Sequence, residues 1–176
     1  VSIAYDLVLE DHVLARQKVK RSQRAFSREV AEMVRYAVGY RSRAFVTFGA
    51  PISLDGFSAE SRTSVLELGH HVMERIGRQI KVLPTALMAS ALGPSMSDQE
   101  LEDRMAGLLD GLLTAGANLD VTTAAAAIAA AAEPLEARGI IARDDGRFRV
   151  RDRNLLRYYA RAIEHLEEAR RAKPAD

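Results

Sequence analysis

The chain has 176 residues, a formal net charge of +1, 48% hydrophobic residues and 6% aromatic residues. This is the composition of a folded chain rather than a disordered one, and its length suits one domain or a domain edge with an appendage. It contains no cysteine, which excludes a disulfide framework, a thiolate metal site, thiol redox chemistry and a Cys nucleophile, and leaves the compartment compatible with cytoplasm. The longest apolar run, Val121 to Ala132, is mainly Ala and too short for the roughly 20 residues a transmembrane helix needs.

In chain order, Val1 to Tyr5 alternates with β-branched and aromatic residues and predicts a strand, so the chain is expected to start inside one. A helical stretch follows around Leu7 to Ala15. The next strand is expected over Ala44 to Phe48, closed by Gly49, Ala50 and Pro51. Between them Ser27 can cap a helix through Val30, Met33, Val34, Ala37 and Val38, ending at Gly39. Strand, helix, strand favours parallel pairing in a larger sheet, of which this chain supplies only two good strands, and this points to a fragment. Val1, Ile3 and Val46 would then expose a sheet edge, so aggregation or a partly molten N-terminal half is expected.

From Ser61 the periodicity is helical. Leu66, Gly69, Val72, Met73, Ile76 and Ile80 share one predicted face, and a second helix runs from Thr85 to Leu92 after Pro84. Ser97 and Glu100 form a capping box ahead of a stripe of Leu101, Met105, Leu108, Leu109, Leu112 and Leu113, and Gly116 closes that helix. Thr122 or Thr123 can cap an Ala-rich helix, in which Pro134 either introduces a kink or starts a new turn before Gly139. Ile140 to Val150 predicts a small hairpin turning at Asp144, Asp145 and Gly146. The terminal helix carries Leu155, Leu156, Tyr159, Ile163 and Leu166 inward and frays from Glu167 to Asp176.

The histidines offer the only side chains that titrate near neutrality unperturbed. His70 and His71 are adjacent and diverge on a helix, which is poor ligand spacing, and His12 and His165 stand alone. Asp11 beside His12 resembles half of a catalytic pair, but neighbours on a helix diverge, so both are expected in solvent. No metal site and no cofactor site emerge. The strongest electrostatic feature runs from Arg16 to Arg43, with nine basic residues against Glu29 and Glu32. Such a stretch suits anionic oxygens, whether of a phosphorylated substrate, a carrier, lipid headgroups or nucleic acid. The segment from Leu135 to the terminal helix also has the outline of a winged helix, which makes a non-enzymatic binding module the alternative reading. Its Ala-rich helix lacks base-reading side chains, so no nucleic acid is expected.

Five stretches in order carry a resemblance: VSIAYD at Val1 to Asp6, VLED at Val8 to Asp11, FVTFGAPISL at Phe45 to Leu54, VLPTALMASAL at Val82 to Leu92, and LLRYYARAIEHL at Leu155 to Leu166. The chain resembles the C-terminal part of the glycerol-3-phosphate and dihydroxyacetone-phosphate acyltransferase family, of the bacterial membrane-associated type, from its fourth conserved block onward. The resemblance implies an α/β fold class: residues 1–60 as the edge of an acyltransferase domain, contributing two sheet strands, and residues 61–176 as a mostly helical region with a winged-helix-like hairpin near 140–151. It implies transfer of an acyl group from acyl-CoA or acyl carrier protein to the 1-hydroxyl of glycerol 3-phosphate, at the cytoplasmic face of the bacterial inner membrane. The family's His, held by an Asp five residues later, deprotonates the acceptor. Five residues after His12, His70, His71 and His165 stand Gln17, Arg75, Ile76 and Arg170, so no catalytic residue is carried over and the chain alone is expected to be inactive. Lys18, Lys20, Arg21 and Arg24 are the expected phosphate contacts. The stretch from Arg16 to Arg21 lacks the Gly many relatives carry there, which leaves dihydroxyacetone phosphate or a lysophospholipid open as acceptor.

Overall fold

A computed structural model describes residues 1–16 and 42–172. The expected Ser27-capped helix and the basic residues Lys18, Lys20, Arg21 and Arg24 lie outside them. Strand β1 (Ser2–Tyr5) pairs with β2 (Ala44–Thr47), with Ile3 opposite Val46. The pair is antiparallel, not parallel as the strand, helix, strand order suggests. Asp6 supplies the reason. Its Oδ1 accepts from Leu7 N at 2.8 Å, Arg43 N at 2.7 Å and Ser42 Oγ at 2.9 Å, and its Oδ2 from Arg43 Nε at 2.9 Å. These bonds tie the end of β1 to the start of β2, a juxtaposition that only antiparallel strands present. Val1, Ile3 and Val46 are all at least half exposed, as the lone strand pair predicts.

Helix α1 (Asp11–Arg16) is shorter than the stretch predicted from Leu7. Helix α2 (Arg62–Gln79) is capped by Ser61, whose hydroxyl accepts from Ser64 N, but its apolar stripe does not enter the core. Leu66 and Met73 are largely exposed and Val72 and Ile76 half-buried, because among the described elements α2 packs mainly against the edge of β1 and the last helix, and only lightly. Strand β3 (Lys81–Val82) follows and pairs in parallel with β5 (Asn118–Leu119), a contact too short to show in the sequence.

Helix α3 (Pro84–Ala91) has Pro84 in its first turn and buries nearly every residue, Thr85 included. An all-round apolar helix is a central one, and α3 packs against α4 (Asp98–Thr114), α5 (Ala124–Ala137) and α6 (Arg153–Ala160). The capping box at Ser97 and Glu100 forms as predicted, and Leu101, Met105, Leu108, Leu109 and Leu112 are buried. Leu113 is 59% exposed, since it lies off the sides of α4 that the neighbouring helices and strands cover. In α5, capped by Thr123, Ala127 and Ala131 are fully buried, and their small side chains let α3 approach closely. The helix runs through Pro134 without a break.

Strands β6 (Ile141–Asp144) and β7 (Arg147–Val150) form the predicted hairpin. Asp145 and Gly146 both take positive φ, the geometry a two-residue turn needs to match the strand twist. A third strand, β4 (Ser95–Ser97), adds to β7, placing Met96 opposite the fully buried Phe148. The predicted terminal helix is two helices. Asp152 caps α6 by accepting from Asn154 N and Leu155 N, and α7 (Glu164–Ala172) restarts after Ile163, which is fully buried. Helix continues well past Glu167, where fraying was expected. No described helix is long and apolar enough to cross a membrane.

Candidate functional site

Two features converge where the N-terminal segment meets α6. The first is a buried polar cluster. Asp11, the first residue of α1, is 0% exposed; Arg138, at the C-terminal end of α5, and Tyr159, in the last turn of α6, are also buried. The Arg138 guanidinium pairs with both carboxylate oxygens, Nε reaching Oδ2 at 3.2 Å and Nη2 bonding Oδ1. Tyr159 donates its hydroxyl to Asp11 Oδ2 at 2.5 Å and accepts from Val8 N at 3.1 Å. Arg138 Nη2 also donates to the carbonyls of Val8 at 3.2 Å and Leu9 at 3.3 Å. A buried ion pair is tolerated only when its remaining hydrogen-bonding capacity is met, and here the charge is spread over backbone and hydroxyl partners. Burial, and after it the bond to Asp11, pushes the Tyr159 phenol well above its ordinary range, so it stays a proton donor.

The expected solvation of Asp11 is therefore overturned. The spacing seen in the sequence concerns α1 alone, whereas the partners of Asp11 lie 127 and 148 residues away. With every oxygen engaged, the cluster braces residues 6–11 against α5 and α6 rather than exchanging protons. Thr85 Oγ1 adds a bond to Asp6 O at 2.9 Å, and Ser2 Oγ one to Gln79 O at 3.0 Å.

The second feature is a cleft of about 650 Å³ that opens beside this brace, between β1, α1 and α6. Ile3, Val8, Leu14, Ile80, Leu83 and Ala86 contribute apolar walls, and among the described residues of its lining the charged ones are Lys81, Arg157 and Arg161. Lys81 Nζ is 3.6 Å from Asp120 and 5.7 Å from the Phe45 ring centroid, and Arg161 Nε is 3.9 Å from Glu164.

The histidines stay apart. His70 and His71 are exposed on α2, His71 with its ring centroid 6.3 Å from that of Phe57, while His165 Nε2 contacts Gly77 O at 3.1 Å. No group of three His, Asp or Glu side chains suited to a metal ion occurs among the described residues. The wing arginines face acids of their own chain: Arg143 pairs with Asp98, Arg147 with Glu100 at 2.9 Å and Arg149 with Asp144 at 3.6 Å.

A family model described as the glycerol-3-phosphate acyltransferase C-terminal region matches residues 29–166. The chain belongs to that family. The match spans α2 to α6, including Arg138, Tyr159 and the basic wall of the cleft, and begins within the basic stretch. No curated protein and no solved structure gives a match. The family is that of an enzyme class whose substrates are glycerol 3-phosphate and an acyl donor. Of the residues named for phosphate contact, none falls among those the structure describes. Arg138 and Tyr159 escaped the sequence reading; the one signal was the position of Tyr159 inside LLRYYARAIEHL, which periodicity explains equally well as core.

Proposed function

We propose that this chain works as the C-terminal section of a bacterial membrane-associated glycerol-3-phosphate 1-O-acyltransferase, using acyl-CoA or acyl carrier protein as donor. The family match over residues 29–166 carries the reading. In acyl transfer a general base takes the proton of the acceptor hydroxyl, the oxygen attacks the thioester carbonyl, and the thiolate leaves. No His here is followed five positions later by Asp, so that pair comes from a preceding catalytic region and this chain alone is inactive. Residues 1–60 then serve as the edge of the acyltransferase domain and residues 61–176 as the helical region packed behind it. The brace at Asp11, Arg138 and Tyr159 supports this division of labour, since it joins the two parts through buried charge. Lys18, Lys20, Arg21 and Arg24 contact the acceptor phosphate, and the basic stretch holds the enzyme at the anionic cytoplasmic membrane surface.

The test is acyl transfer to glycerol 3-phosphate by the chain joined to its catalytic region, with the catalytic His changed to Ala as control. Activity that depends on that His, and falls when Lys18 and Lys20 become Gln through a raised KM for glycerol 3-phosphate, is the expected result. Activity of the 176-residue chain alone, or none in the joined protein, would overturn the reading. Binding to anionic liposomes that weakens from 0.05 M to 0.5 M salt is expected, and indifference to salt would remove the membrane role.

A further inference from the structure

Residues 48–61 join β2 to α2 without helix or strand. They carry Asp55–Gly56, one of three Asp–Gly pairs in the chain; the others are Asp110–Gly111 and Asp145–Gly146. In such a pair the Gly nitrogen can attack the Asp side-chain carboxyl, because no Cβ crowds the approach and Gly lets the backbone turn toward it. The fold leaves that freedom to Asp55–Gly56. Asp110 and Gly111 sit within α4, whose hydrogen-bond ladder fixes the dihedrals of both. Asp145 and Gly146 are held at φ of 51° and 68° in the hairpin turn, with Asp144 opposite Arg147 closing it and Arg149 Nη2 3.9 Å from the Asp145 carboxylate. Asp55 and Gly56 are both exposed and stand in a turn closed by Phe57 N donating to Leu54 O at 2.9 Å, with neither strand nor helix adjoining. A Cβ built on Gly56 would meet no atom within 4 Å, so the approach to its nitrogen is open. Ser53 completes the arrangement. Its Oγ accepts from Asp55 N at 3.3 Å and donates to Asp55 Oδ2 at 2.7 Å, which points a proton at the oxygen that has to leave. A hydrogen bond to a carboxyl oxygen lies near the carboxyl plane, whereas a nucleophile arrives across that plane, so the Ser53 contact does not obstruct attack.

We propose that Asp55–Gly56 is a self-modification site, at which the chain forms a succinimide and then an isoaspartyl link, with Ser53 assisting the first step. The Gly56 nitrogen bonds to Cγ of the protonated Asp55 carboxyl. The amide proton and the carboxyl hydroxyl, drawn off through the Ser53 contact, leave as water, and a five-membered imide remains. Water then returns at either ring carbonyl. Addition at Cγ restores Asp55, whereas addition at the α-carbonyl breaks the original C–N bond, routes the main chain through Cβ and Cγ and leaves a free α-carboxylate. The new link lengthens the main chain by one carbon, which the turn from Leu54 to Phe57 cannot absorb, so the loop between β2 and α2 is rebuilt. The free α-carboxylate is the group that an L-isoaspartyl O-methyltransferase esterifies with the methyl of S-adenosylmethionine, releasing S-adenosylhomocysteine. The aged chain thus becomes a substrate for repair at this loop. The site does not rest on the acyltransferase reading, because its readout is a change in the chain itself.

The experiment is a timed incubation of the 176-residue protein in warm, mildly acidic buffer, once folded and once unfolded in urea. Aliquots are labelled with a purified L-isoaspartyl O-methyltransferase and radioactive S-adenosylmethionine, and peptide mapping by mass spectrometry locates both the label and the dehydrated imide. In the folded protein the peptide with Asp55 should gain isoaspartate about tenfold or more faster than those with Asp110 and Asp145. In urea the three pairs should react at rates within about threefold of one another, which shows that the fold and not the dipeptide makes the choice. Gly56→Ala, at an exposed and open position, should slow the Asp55 reaction about tenfold or more in the folded protein. Ser53→Ala should slow it in the folded protein and leave the rate in urea unchanged. Equal rates at Asp55 and Asp145 in the folded protein, no isoaspartate at Asp55 while the unfolded chain reacts, or an undiminished rate in Gly56→Ala each overturns the site, and an undiminished rate in Ser53→Ala overturns the assistance.

Discussion

Replacing Tyr159 with Phe isolates what the buried brace contributes. The ring and its packing are retained and only the hydroxyl is lost. That hydroxyl makes two bonds, one to the fully buried Asp11 carboxylate at 2.5 Å and one from Val8 N at 3.1 Å. A bond to a charged group contributes about 1.5–3 kcal/mol and a neutral one about 1 kcal/mol. Arg138 remains to hold the carboxylate, so the expected loss is about 2–4 kcal/mol, or roughly 5–15 °C in Tm for a chain of this size. The pH dependence supplies a second signature. Burial, then the bond to Asp11, holds the phenol of folded Tyr159 above its ordinary value of 10.0. The unfolded chain therefore releases this proton first as pH rises. The contribution is whole below about pH 10 and declines above it, by up to about 1.4 kcal/mol per pH unit. Urea denaturation followed by far-ultraviolet circular dichroism at pH 7 and between pH 9 and 11 should show wild type and Tyr159→Phe converging at the alkaline end. A loss below about 0.5 kcal/mol at pH 7, or curves that stay parallel through pH 11, would refute the brace.

Other outcomes follow from the same geometry. Asp6→Asn should cost about 1–2 kcal/mol, because it weakens bonds that Arg43, Ser42 and Leu7 make to one carboxylate, and amide exchange at Ile3 and Ala4 should accelerate while Leu87 stays protected. Burial raises the Asp6 pKa, but the Arg43, Ser42 and Leu7 hydrogen bonds outweigh it and hold the carboxyl below its ordinary 3.8. Its stabilisation is therefore present above that value and lost as pH falls through the lower folded one, so acid titration should loosen the β1 and β2 amides of the wild type and leave Asp6→Asn flat there. Adjacent leucines on α4 should part company: Leu112→Ala, at 0% exposure, should cost about 2–5 kcal/mol, whereas Leu113→Ala, at 59%, should stay within about 0.5 kcal/mol in the same denaturation assay. Ser97→Ala removes half of a reciprocal cap and should cost about 1 kcal/mol; an effect below about 0.3 kcal/mol would mean that the cap is dispensable.

The features legible in the sequence are those whose causes lie within one turn or one hairpin. The Ser97 and Glu100 cap, the α4 stripe up to Leu112, Pro84 opening α3 and the turn at Asp145 and Gly146 all depend on residues a few positions apart, and all stand where the pattern places them. The α2 stripe shows the limit of that reasoning. Periodicity says that Leu66 and Met73 share a side with Val72 and Ile76, but burial depends on whether another element covers that side, and none of the described elements covers Leu66 or Met73. The two-residue strands β3 and β5 and the third wing strand β4 carry no alternation long enough to register.

What the sequence alone determined was local: which segments coil, where they stop, and that five ordered stretches look like one acyltransferase family. Tertiary structure alone decided the sense of the β1–β2 pair, through the contacts that bring Arg43 and Ser42 to Asp6, and the burial of Asp11 against Arg138 and Tyr159. The cationic, apolar cleft arises in the same way, with Ile3, Lys81 and Arg157 drawn from distant parts of the chain. Each is a meeting of groups separated by tens of residues or more. Such a meeting depends on how the helices close around α3 and on the desolvation that closure imposes, and neither leaves a period in the chain.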